Sequence, residues 1–224
     1  MAFKAGPLLL HTTAAAVMAY GYSSLGSLVQ NAWIERQKGG HTQFLTIQGL
    51  MIAWLTMTVS LVLDVVPSFT ALRKVKRVLL MIALSVAVVV SSIYWTLVLF
   101  MPHMILQANP GTTPPTSSTE APKLVRIPLR IDLALHAAPG ISLLADFLLF
   151  EKKYSRNEAS YAAPVLSALF GLGYGNWVEY LAKFNGSFPY PFLTENPLEI
   201  RVAIYCGAVT LALVSFWLIN ALHK

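Results

Sequence analysis

Apolar runs too long to bury in a small soluble core recur along this chain. No Asp, Glu, Lys or Arg interrupts residues 5–34, 44–63, 78–107, 159–178 or 202–223, and residues 131–150 are broken only by Asp132 and Asp146. A helix crosses the hydrocarbon of a bilayer with about 20 mostly apolar residues. Only helices and closed barrels satisfy every backbone polar group there. The runs therefore predict an all-α polytopic membrane protein with six transmembrane helices, near 7–30, 44–66, 78–101, 130–150, 160–182 and 200–222. Their connections are short, so residues 1–224 read as one six-helix domain. Composition agrees, with 56% hydrophobic and 12% charged residues, about half of the roughly 25% charge of a soluble domain.

The formal charge of +6 is scattered over loops. That pattern orients helices rather than gripping nucleic acid, and no nucleic-acid partner is expected. Cys206 is the only cysteine, which leaves no intrachain disulfide and no cysteine metal site. Lys4, Arg73, Lys74, Lys76, Arg77, Lys152, Lys153, Arg156 and Lys224 fall on one side of the predicted membrane. They are nine against the seven of Arg36, Lys38, Lys123, Arg126, Arg130, Lys183 and Arg201. The excess puts both termini in the cytosol. The first apolar run continues past Ser23, Ser24 and Gly26 to Ile34, which favours a retained span over a signal peptide. Residues 109–122, rich in Pro, Thr and Ser, then form a lumenal loop, and Asn185-Gly186-Ser187 is a glycosylation sequon on the same side. Tyr94, Trp95 and residues 188–192 read as interfacial anchors.

Within the fourth predicted span lies His136, one helical turn after Asp132. Ionisable groups are costly in a bilayer and mark pathways or reactive sites when they occur. His136 follows Arg130 by six residues, hence lies roughly 9 Å deep at about 1.5 Å per residue. Pro139-Gly140 predicts a kink beside it, because proline removes a backbone hydrogen bond that neighbours must replace. Topology puts Thr46, Asp132, His136, Asn176 and Glu179 in the lumenal half. Asn176 and Glu179 share a face at i,i+3, as Asp132 and His136 do at i,i+4. Asp64 and Asp146 fall near the opposite surface, within reach of Lys and Arg. His11, His41, His103 and His223 are scattered without metal-ligand spacing, so no metal and no cofactor is expected.

A threonine hydroxyl becomes a nucleophile when a base takes its proton, and imidazole has a suitable pKa. Asp132 could stabilise the resulting imidazolium, and Asn176 could donate to an oxyanion. Each residue also has a plainer role: Thr46 bonding its own helix, Asp132–His136 gluing helices, Glu179 snorkelling with Lys183. Spacing does not bring Thr46 and His136 together.

The stretch Gly39-Gly40-His41-Thr42-Gln43-Phe44-Leu45-Thr46 resembles the lead-in to the second span of the androgen-induced-gene and androgen-dependent TFPI-regulating protein family. Tyr190-Pro191-Phe192-Leu193 resembles its Tyr-Pro-Phe segment between the last two spans. Some members of that family are threonine hydrolases of fatty acid esters of hydroxy fatty acids. The resemblance implies Thr46 as nucleophile and His136 as catalytic base, with Asp64 and Asp146 at family-like spacing and Tyr190 as a supporting residue. Ala137 and Leu133 depart from the family pattern, which has Thr directly after the histidine and a second His three residues before it. The 109–122 loop is also longer than the family's.

The expectation is an integral protein of the endoplasmic reticulum or plasma membrane that hydrolyses an amphiphilic lipid ester, its partners being that ester and membrane lipids. Lys123, Arg126 and Arg130 read first as ordinary flanking charges, with holding the substrate carboxylate as the alternative role. The alternatives are a small-molecule or proton transporter, with Asp132, His136 and Glu179 as relay groups, or a non-catalytic membrane adaptor.

Overall fold

The computed structural model describes residues 5–106 and 124–223. Residues 109–122, Lys4, Lys123 and Lys224 lie outside them. Nine helices follow in order among the described residues: α1 (Ala5–Ser23), α2 (Asn31–Arg36), α3 (Leu45–Val65), α4 (Thr70–Phe100), α5 (Leu129–His136), α6 (Ala138–Phe150), α7 (Ala163–Asn185), α8 (Pro191–Thr194) and α9 (Leu198–Leu222). Short 3-10 turns and one π-helical turn, at Glu158–Ala162, join them, and the described residues contain no β-strand.

Three of these helices, α3, α4 and α9, are each long and apolar enough to cross a membrane, and the bent pair α5–α6 makes a fourth if it is counted as one span. Three to four of the six predicted spans are thus matched in that respect, with α1 and α7 outside the set. The first span differs most from expectation. It stops at Ser23 rather than running on to residue 30, and the Ser23 and Ser24 hydroxyls both turn back to the Tyr20 carbonyl. Serine hydroxyls compete with the backbone for such carbonyls, which loosens a helix end. In the other direction α4, at 31 residues, is about 46 Å long. Its first two turns carry Arg73, Lys74, Lys76 and Arg77 beyond the apolar portion. Pro164 lies early in α7, directly after the π-helical turn Glu158–Ala162, where a proline's missing N–H is accommodated by the altered hydrogen-bond register.

The core forms where α1, α3, α4 and α6 meet, around Met18, Ala53, Met57, Leu80, Leu84, Leu143 and Phe147. Glycine lets α3 and α4 approach: a Cβ on Gly49 would stand 2.9 Å from Val86, the close packing that small residues permit between membrane helices. Outward, Val165, Leu169 and Leu172 on α7 and Val214, Leu218 and Leu222 on α9 are exposed. Such an extended apolar surface suits lipid.

Both ends of the described chain lie on one face. Gly6 abuts Phe150, and the His223 ring reaches the Phe147 and Glu151 carbonyls at 3.0 Å. This terminal face is closed by charge. His11 Nδ1 lies 2.6 Å from Asp64, and its Nε2 lies 2.8 Å from Asp146. Lys76 reaches Asp146 at 3.0 Å and Glu151 at 2.8 Å. Arg77 forks onto Glu158. Burial raises the Glu158 carboxyl, but the Ser155 N–H and hydroxyl and the Arg77 guanidinium outweigh it and hold the group below its usual 4.5. Lysine was expected near Asp146 and is there; the partner of Asp64 is a histidine from α1, which no local pattern announces.

Candidate active site

The opposite face gathers the remaining polar residues. Gly39 and Gly40 have φ of 88° and 47°, values that glycine reaches at little cost. A Cβ on Gly39 would also strike Leu181. This turn feeds a 3-10 segment, and Phe44 caps α3 in extended conformation. Thr46 therefore sits in the first turn of α3, where backbone N–H groups have no helical acceptor. Leu45 N–H donates to the Tyr190 hydroxyl at 3.0 Å, and Tyr190 lines the same two cavities as Thr46. Burial pushes the Tyr190 phenol up, outweighing the lowering effect of its polar neighbours Thr46, Leu45 and Tyr174. Tyr190 is accordingly a neutral hydroxyl beside Thr46.

His136 is positioned by two helices. Its Nδ1 lies 2.7 Å from Asp132 Oδ1, one turn back on α5, and both residues are buried. The chain breaks at Ala137, and α5 and α6 bend by 40°. This is the kink expected at Pro139-Gly140, and at the break Ser91 of α4 donates to the His136 carbonyl at 2.6 Å. Gly140 makes room for that serine: a Cβ there would stand 3.2 Å from the Ser91 hydroxyl. Tyr94 of α4 stacks on the imidazole with parallel rings and centroids 3.4 Å apart. Tyr94 is thus buried beside His136 instead of anchoring at the interface, because the α4 turn that carries it faces α5.

Hydrogen bonding to a carboxylate at one ring nitrogen sets the tautomer at the other. With Nδ1–H donating to Asp132, Nε2 carries a lone pair, and no described residue hydrogen-bonds to it. His136 lines a cavity together with Thr46, Tyr94 and Tyr190. Residues that sequence could not connect thus line one cavity.

Two predicted members of the site stand elsewhere. Asn176 is exposed, donates to the Leu172 carbonyl of its own helix, and lines neither of the two cavities described here. Glu179 holds Arg201 through 2.7 and 2.9 Å hydrogen bonds and accepts from Tyr205; the partner expected at Lys183 is replaced by α9. The i,i+3 spacing ties these two residues to each other and leaves the rotation of α7 undetermined. Tyr94 and Ser91 went unrecognised for the converse reason. An aromatic and a serine late in an apolar run carry no local mark of function.

A second cavity adjoins the first. It runs between α4, α7 and α9, and Thr46, Tyr94, Ile105 and Tyr190 line both. Among the described residues, no group of three or more His, Cys, Asp and Glu is arranged to hold a metal ion.

Comparison with known proteins follows from this arrangement. The family model described as FAR-17a/AIG1-like protein matches residues 6–224. A UPF0641 membrane protein of Schizosaccharomyces pombe is 30% identical over 216 residues, covering 96% of this chain and 89% of the relative. A UPF0641 membrane protein of Saccharomyces cerevisiae is 23% identical over 227 residues, covering 94% and 88%. No solved structure matches.

Proposed function

This chain belongs to the FAR-17a/AIG1-like family of membrane proteins, and from that premise we propose that it is an intramembrane lipid-ester hydrolase. The substrate class is a fatty acid ester of a hydroxy fatty acid or a similar amphiphilic ester. One observation carries the reading: Thr46 and His136, from different helices, line one cavity, and Asp132 holds one nitrogen of that histidine.

The chemistry is acyl transfer through threonine. Thr46 Oγ attacks the ester carbonyl while His136 Nε2 takes its proton, and Asp132 stabilises the imidazolium. The tetrahedral oxyanion takes a hydrogen bond from the neutral Tyr190 hydroxyl, in the role expected of Asn176. Collapse breaks the bond to the leaving oxygen, which recovers the proton from His136. Water, activated by the same nitrogen, attacks the acyl-threonine and releases the carboxylic acid with Thr46 restored. Six spans fit this reading, taken as α1, α3, α4, α5–α6, α7 and α9. Both termini are then cytosolic, in the endoplasmic reticulum or plasma membrane.

The test is ester turnover by purified protein in detergent. Thr46→Ala and His136→Ala should each lower it by about 10²-fold or more, with helical content unchanged. Turnover at the wild-type rate in both variants would end the proposal.

A further inference from the structure

Thr46 stands on a wall between two cavities that differ in chemistry. The one between α4, α7 and α9 is lined by Ile82, Val89, Phe170, Tyr205, Ala208 and Val209 among others. From Ile82 to Tyr94 it follows α4 for about 18 Å. Its polar side chains are largely engaged. Ser85 donates to the Met81 carbonyl at 2.8 Å, Tyr205 to Glu179 at 3.0 Å and Tyr174 to the Gln43 carbonyl at 3.2 Å. A carboxylate or headgroup placed there would lose its hydration for little return, whereas hydrocarbon loses nothing. The other cavity holds Gln30, His41 and His136 beside its apolar lining, so it accommodates a chain that also carries polar groups.

The position of the base decides between the two independently. An alkoxide leaves only if it is protonated, and the proton comes from the imidazole that took it from Thr46. The leaving oxygen must therefore lie on the His136 side of Thr46. His136 lines one cavity and not the other. Resting on the hydrolase reading, we infer that the slot between α4, α7 and α9 is the acyl-chain site, and that the His136 cavity holds the hydroxy-acid part of the ester. Both lines of evidence, lining and proton geometry, assign the same halves. The slot is then the ruler for acyl length, and Ala208 and Ser167, on its α9 and α7 walls, are specificity-determining positions remote from the reacting atoms.

Ala208→Phe, Ser167→Phe and Leu28→Trp separate the halves, the first two narrowing only the acyl slot and the third only the His136 cavity. The full-length protein in detergent is assayed with p-nitrophenyl esters from acetyl to palmitoyl, and with a palmitoyl ester of hydroxystearate. Each slot variant should keep acetyl-ester kcat/KM within about threefold of wild type and lose about tenfold or more on palmitoyl, the scale set by excluded methylenes. Leu28→Trp should leave the p-nitrophenyl acyl profile intact and lose about tenfold on the hydroxystearate ester. An unchanged acyl profile in both slot variants, or a profile altered by Leu28→Trp instead, overturns the assignment.

Failure of the reaction itself is read separately, as turnover that survives Thr46→Ala. In that event photolabelling of Thr46→Ala protein with a diazirine-bearing palmitate decides. Adducts on α4, α7 and α9 peptides that disappear in Ala208→Phe uphold an acyl-binding slot without hydrolysis. Adducts confined to other segments overturn it.

Discussion

His11 and His136 are 1% and 4% exposed, and each has a carboxylate oxygen close to Nδ1, at 2.6 and 2.7 Å. They differ at the other nitrogen. Nε2 of His11 meets a second carboxylate, Asp146, itself bonded to Lys76, and no described cavity reaches the ring. Nε2 of His136 has no hydrogen bond to a described residue, and His136 lines a cavity with Thr46. The first arrangement uses the histidine's whole bonding capacity to tie α1, α3 and α6 together. The second spends half and keeps half available. A buried His–Asp pair is therefore ambiguous until the remaining nitrogen is followed to its partner.

Four measurements can break or sharpen this contrast. The largest effect belongs to Asp146→Ala. It removes the buried carboxylate that Lys76 and His11 share, leaving Glu151 to the one and Asp64 to the other, and removing one partner of a buried pair costs up to about 3–5 kcal/mol. Thermal melting in detergent should show a large loss; an unshifted transition would mean the charged cluster is not what holds the terminal face. Asp132→Asn is the mirror case. It should lower turnover about 10²–10⁴-fold while melting close to wild type. If it melts as low as Asp146→Ala, the two histidines do the same job and the contrast fails.

Ser91→Ala probes the joint between α4 and α5. Removing the 2.6 Å hydrogen bond to the His136 carbonyl should cost about 1–3 kcal/mol where the carbonyl finds no other donor, with turnover falling as the ring loses its seat. A variant equal to wild type in both respects would show that Tyr94 stacking and Asp132 suffice. The smallest effect is the acid response of Glu158. Its carboxyl sits below the usual 4.5 in the folded chain, so the stability it contributes is present above 4.5 and is lost as pH falls through the lower folded value. Melting across that range should bring wild type and Glu158→Gln together in acid. The gap at neutral pH should be modest, because the side chain is 36% exposed and solvent screens the pair. A gap that widens in acid contradicts the arrangement around Arg77.

Much of the helical frame was legible because hydrophobic length and breaker residues act locally. The apolar runs marked the helices and Pro139-Gly140 marked the bend, whereas the glycine pair before Thr46 entered only as part of a family-like stretch. The family was legible from the same stretch. Helix rotation was not, since it depends on what the rest of the bundle presents. Asn176 and Glu179 were assigned a common face correctly and the wrong neighbours. His11, 53 and 135 residues from its partners, is invisible to any window along the chain. Tyr94 belongs with it: its importance lies in a ring from another helix, stacked face to face.

Asn185 shows what folding can do to a signal. Its side chain accepts from the Lys38 N–H at 2.9 Å and donates to the Lys38 carbonyl at 3.1 Å, bridging the loop before α3 to the end of α7. The same amide nitrogen is the one to which a sugar would be joined. A sugar joined there would replace one of the two amide hydrogens and crowd the Lys38 loop, so a glycan on this asparagine would come at the expense of the joint between the loop before α3 and the end of α7.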